Sequence, residues 1–161
     1  AKKAGYYDNT LFVLTADHAN EFVEHPEITP NLYHIPLLIV GPGVKPGMDE
    51  RTGSQFDITP TIADLGNWTT GYAGLGRSLL DESGGNERVS FSIRGNVFDL
   101  ISSRGWVSHD LSRRLGNAAG MSAGATDEME RNLLAEYQTV SRLLVENRIV
   151  PLTEGSHRTG K

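Results

Sequence analysis

The chain has 161 residues, of which 38% are hydrophobic and 22% charged, enough apolar content for one compact core and without the bias of a disordered chain. A net charge of -5 excludes a basic face for nucleic acid, and the lack of cysteine excludes disulfides and thiolate metal sites. No apolar run nears the roughly 20 residues that span a bilayer, and no signal peptide is visible.

In chain order, Ala1-Lys2-Lys3-Ala4-Gly5 reads as the last turn of a helix, with cations at its negative end and glycine as the stop. An opening in mid-element without methionine suggests a piece of a longer protein. Tyr6 to Asn9 reads as a turn and Thr10 to Thr15 as a strand, whose run Leu11-Phe12-Val13-Leu14 is expected to be buried on both faces. Ala19 to Tyr33 is polar and holds Pro26 and Pro30, which makes it a loop. Ile35 to Val40 is a second apolar strand, closed by Gly41-Pro42-Gly43. Thr59 to Leu65 fits a short helix with Thr59 as N-cap, Pro60 at the first helical position and Gly66 as terminator.

Gly66 to Asn86 reads as loop, with Trp68 and Tyr72 placed to lie over an adjoining surface. Val89 to Ile93, Val97 to Ser102 and Gly105 to His109 are short runs separated by Gly95-Asn96 and Arg104-Gly105, the punctuation of an antiparallel meander. Thr126 to Asn147 carries Met129, Leu133, Tyr137, Val140 and Leu144 at helical spacing, so a long helix should pack on that meander. Arg94, Arg104, Arg113 and Arg114 read as a solvated edge, His109 as surface, and the tail after Pro151 as disordered. These elements predict an α/β fold: a partial mixed, mostly parallel sheet with flanking helices, then the small meander and the C-terminal helix. The expected divisions are a core over 1–86, a sheet-plus-helix unit over 87–150 and a tail over 151–161.

The chemistry concentrates at Thr15-Ala16-Asp17-His18, directly after the first apolar run. A carboxylate and an imidazole at the carboxyl end of a strand stand where an open sheet presents ligands, and both bind divalent cations. The alternative is an Asp and a His capping a turn. Glu21, Glu24 and His25 sit in a polar loop that needs no function to carry them. Asp57 reads as an organiser of the helix start, while Ser54 and Ser78 lack the context of an activated nucleophile.

Three blocks in order, Tyr7 to His18, Tyr33 to Ile39 with Gly41-Pro42-Gly43, and Gln55 to Thr61, resemble the carboxyl-terminal half of the sulfatase branch of the alkaline phosphatase superfamily. Gly76-Arg77-Ser78-Leu79-Leu80 looks like the block that follows. The group most resembled is that of lipoteichoic acid synthases and phosphoglycerol transferases, partly because Ala19 follows the Asp-His pair where sulfatases usually place glycine.

The resemblance implies a divalent metal site (Mn, Ca, Mg or Zn) in the intact parent, held in part by Asp17 and His18. His34 matches a histidine that contacts the transferred group or a second metal. It further implies a sulfate- or phosphate-ester substrate, a nucleophile and further ligands from a missing N-terminal half of the same domain, and a membrane-anchored parent with an extracytoplasmic or periplasmic active face. The piece alone is expected to be soluble, inactive and prone to self-association. For His34 to meet Asp17 and His18, the two strands must run antiparallel. The competing reading is a non-catalytic α/β binding module or a degenerate relative.

Overall fold

A computed structural model describes residues 1–19, 32–68, 74–83 and 87–149. These described residues form two antiparallel sheets and two α-helices. Strand β1 (Phe12–Thr15) pairs with β2 (Leu37–Val40) in a register that runs from Phe12 opposite Val40 to Thr15 opposite Leu37. The second sheet is a meander of β3 (Val89–Arg94), β4 (Val97–Ser102), β5 (Gly105–His109) and β6 (Arg114–Asn117), in that spatial order. Helices α1 (Ile58–Leu65) and α2 (Ala123–Val145) complete the fold. No helix among the described residues is long and apolar enough to cross a membrane.

The α/β architecture, the meander and the terminal helix match expectation, whereas every strand pairing among the described residues is antiparallel. A parallel partner requires a long crossover, and among the described residues β1 and β2 pair only with each other. Nor are these strands buried on both faces. Leu14 and Leu38, directly opposite in the register, are each 55% exposed, because no described element covers their face.

Before β1 the chain makes two single 3-10 turns, Lys2–Ala4 and Tyr7–Asn9, with Gly5 in the left-handed region at φ 78°. Tyr7 stacks on Phe12 at 6.1 Å and so seats the turn against the strand.

Helix α1 starts earlier than Thr59. A 3-10 turn over Gln55–Asp57 leads into it, and the cap is Ser54. The Ser54 hydroxyl accepts from Phe56 N, and the Asp57 carboxylate accepts from Ser54 N at 3.0 Å, which closes a capping box. Pro60 then falls in the first turn, where no backbone N–H is needed. The Gly76 segment lies across this corner: Arg77 N donates to Asp57 Oδ1 at 2.8 Å and Leu79 N donates to Thr61 Oγ1 at 2.9 Å. A Cβ on Gly76 would sit 1.8 Å from the Phe56 carbonyl oxygen, so only glycine fits.

The core lies between the meander and α2. Phe98, Leu100 and Val107 from the sheet meet Met129 and Leu133 from the helix, and Tyr137 meets Phe98 edge-on at 4.7 Å. Leu100, Val107 and Leu133 are fully buried. Helix α2 begins three residues before Thr126, because Ser122 caps it by accepting from Ala125 N. Strand β6 escapes the sequence pattern because little of it is buried, and it opens at Arg114, a residue expected to lie on a charged edge. That edge is paired rather than merely solvated: Arg114 reaches Asp127 at 3.0 Å and Glu130 at 3.2 Å, and Arg104 reaches Glu87 and Glu128.

His109 is 4% exposed, not a surface residue. It shares the α2-facing side of the sheet with Val107; its Nδ1 accepts from Leu111 N at 2.8 Å, and its Nε2 lies 3.1 Å from Glu130. Trp68 is 61% exposed, and its indole lies against Gly66 at the end of α1. Tyr72, Glu21, Glu24, His25 and the tail after Pro151 lie outside the described residues.

The first and second halves of the chain join through Arg88. Its guanidinium donates to the carbonyls of Ser78, Arg77 and Asp81 and lies 3.6 Å from Asp57, with both charged side chains over nine-tenths buried.

Candidate metal site at the carboxyl end of β1

β1 ends at Thr15, whose hydroxyl donates to the Pro36 carbonyl at 2.9 Å and ties the strand to the entrance of β2. Asp17 and His18 follow at once and project into solvent, with side chains 90% and 68% exposed. Asp17 Oδ1 accepts from His18 N at 3.0 Å, which orients the carboxylate over the following residue. The imidazole Nδ1 lies 2.8 Å from the Ala19 carbonyl oxygen. A carbonyl only accepts, so Nδ1 carries the proton, and Nε2 lies 3.7 Å from Asp17 Oδ2.

This arrangement suits a cation. Two donors at about 2.1 Å from a tetrahedral metal stand about 3.4 Å apart, close to the separation seen. Metal-ligating histidines commonly give their second ring N–H to a backbone carbonyl, as His18 does. The donor pair therefore fits a divalent cation, with one anionic oxygen and one neutral nitrogen. Among the described residues no three His, Asp or Glu side chains gather closely enough to hold a metal ion. A metal site that used Asp17 and His18 would need at least one further donor.

The backbone beneath the pair is clamped from α1's entry turn. Gln55 Nε2 donates to the carbonyl oxygens of Ala16 at 3.2 Å and Asp17 at 2.8 Å. Gln55 carries no individual signal in the sequence beyond its place in the Gln55 to Thr61 block, which opens at the capping box.

His34 is exposed and stands three residues before β2. The antiparallel direction required for it to share an end with Asp17 and His18 is the one observed. Carrying the β1–β2 register three residues beyond the Thr15–Leu37 pair sets position 34 opposite position 18. Asp57 acts structurally, at the capping box and beside Arg88, as its position before the helix suggested. Ser54 and Ser78 cap turns.

A separate cleft of about 230 Å³ is lined by Arg51, Arg77, Arg88, Asp81, Glu82 and Glu87 among others, and includes neither Asp17 nor His18. Its charges answer one another: Arg51 pairs with Asp49 at 2.7 Å and Arg77 with Asp81 at 3.9 Å.

A model of the sulfatase family matches residues 1–68. The chain is 32% identical over 79 residues to choline-sulfatase from Rhizobium meliloti (strain 1021), a match that covers 41% of this chain and 15% of that protein. It is 36% identical over 70 residues to arylsulfatase K from Danio rerio, covering 40% of this chain and 13% of that one. The chain therefore spans a small part of the length of these relatives. The fold is similar to the crystal structure of a protein in the alkaline phosphatase superfamily from Vibrio parahaemolyticus, with a TM-score of 0.72 and 19% identity over 94% of this chain and 39% of that one.

Proposed function

We propose, from the premise of a sulfatase-family sequence over residues 1–68 on an alkaline phosphatase superfamily fold, that this chain forms one edge of the metal site of a sulfate-ester hydrolase. The observation that carries the reading is the Asp17–His18 pair, with Oδ2 and Nε2 3.7 Å apart and the outer ring nitrogen engaged by Ala19. A divalent cation held there would neutralise charge on an anionic ester. Asp17 contributes a negative oxygen and His18 a neutral nitrogen. Gln55 keeps the supporting backbone in place, and His34 can hydrogen-bond an ester oxygen or hold a proton near a leaving oxygen. With two donors on the described residues, the chain alone should bind metal weakly and hydrolyse nothing.

Titrating Mn2+ into the isotopically labelled chain tests the site by paramagnetic line broadening. Broadening centred on Asp17 and His18, and lost in Asp17→Asn, supports it; broadening that begins elsewhere and ignores that substitution overturns it. Turnover of an aryl sulfate by the full-length protein would fix the reaction class. Preferential turnover of phosphatidylglycerol would instead favour phosphoglycerol transfer by a membrane-anchored, extracytoplasmic parent, a reading favoured by Ala19 after the Asp-His pair. Failure with both ester classes would favour a binding module.

A further inference from the structure

We infer that Tyr33, anchored by Asp99 in the second sheet, is a positioning residue for His34. The inference rests on the site reading above and adds the meander to the parts that build the site. Tyr33 immediately precedes His34, and its hydroxyl donates to Asp99 Oδ2 on β4, 66 residues away in sequence. The other carboxylate oxygen, Oδ1, accepts from the hydroxyl of Ser108 on β5, the direct cross-strand partner of Asp99. Asp99 and Ser108 are both completely buried.

Burying a carboxylate is expensive unless its oxygens are hydrogen-bonded, and both are. An apolar residue would fill the same place more simply, so the directional bond to Tyr33 is the distinctive property of this arrangement. Asp99 alternates with Phe98 and Leu100, which face α2, and therefore belongs to the opposite face of the sheet. That face is the one Tyr33 meets.

His34 is exposed, and packing does little to hold it. Its backbone is nevertheless fixed from both sides. Tyr33 is pinned to Asp99, and the Pro36 carbonyl accepts from Thr15 at 2.9 Å, at the very end of β1 that carries Asp17 and His18. Only His34 and Ile35 lie between these anchors, and Pro36 removes further freedom. The Tyr33 phenol is held to about pKa 12 by burial and by the neighbouring Asp99, so it remains a donor at any working pH.

The test is Tyr33→Phe in the 161-residue chain, which removes one hydroxyl and keeps the ring. The His34 Cε1–H resonance should move, and its broadening by Mn2+ should fall several-fold, while broadening at His18 and the shift of His109 stay as in the wild type. An unchanged His34 resonance and unchanged His34 broadening in a folded variant overturn the inference. Should Tyr33→Phe not fold, Ser108→Ala removes the second hydrogen bond that fixes the Asp99 carboxylate and so loosens the Tyr33 anchor; it must move the His34 resonance in the same sense, by less, and no movement there overturns the inference too. Absence of Mn2+ broadening at His18 in the wild type would count against the metal reading alone, since the His34 shift judges the anchor without metal. In the full-length enzyme the variant should lower kcat with little change in KM.

Discussion

Gln55 and Asp17 meet through the backbone: the Gln55 amide donates at 2.8 Å to the carbonyl oxygen of the very residue whose carboxylate faces His18. The backbone that carries the proposed ligand is thus held by a side chain that bonds only its carbonyl oxygens. Replacing Gln55 by Leu should weaken Mn2+ binding by about 10-fold, the lower end of the loss seen for such supporting groups. Stability should change by no more than about 1 kcal/mol, because Gln55 is exposed and water can replace it. A Mn2+ titration read beside a urea melt separates the two effects.

Asp57→Ala should act in the opposite way, on stability before binding. Asp57 closes the capping box, accepts from Arg77 N and lies beside the buried Arg88 guanidinium. Its removal leaves that cation without its carboxylate, a change that costs roughly 3–5 kcal/mol in comparable buried pairs. Urea unfolding should show a lower midpoint at an unchanged slope.

Tyr33 predicts an alkaline limit. Its pKa is raised from an ordinary 10.0 to about 12, first by burial and then by Asp99, so the folded chain favours the protonated phenol. That contribution is complete below the unfolded value near pH 10 and is lost as pH rises through about 12. Stability measured across this window should fall, and the fall should shrink in Tyr33→Phe. Phenolate absorbance should lose its step near pH 12 in the same variant.

Leu133→Ala should destabilise by about 2–5 kcal/mol, because the side chain is completely buried between α2 and the meander. Thermal or urea unfolding followed by near-ultraviolet dichroism would register it, through Trp106 on β5 and Tyr137 on α2.

The strands around the tetrad and the long helix were legible because their patterns are local: an apolar run of strand length, and apolar residues at helical steps. The antiparallel direction of β1 and β2 was legible as well, from the demand that His34 share an end with Asp17 and His18. Helix starts were misplaced at Thr59 and Thr126 because the capping serines, Ser54 and Ser122, stand upstream of the periodic residues. His109 was misread because a histidine late in a short strand carries no mark of the Glu130 that meets it from a helix.

Asp99 was invisible for a related reason. A carboxylate between Phe98 and Leu100 looks like the wet side of a half-buried strand. Val97 and Ile101 share its face, and that apolar company was the available sign that this side is covered too. The hydroxyls that satisfy Asp99 come from Tyr33 and Ser108, and only the tertiary fold brings Tyr33 to it.

Arg88 gives the seam between the halves its character. One guanidinium stitches three carbonyls and a carboxylate of the earlier residues to the first strand of the meander. A chimera that grafts the meander and α2 of another protein after residue 86 would inherit Asp57 and three carbonyls shaped around a cation it does not carry. The terminal unit is therefore no interchangeable cassette, and recombination at that point should yield folded offspring only when the incoming segment brings its own arginine in register.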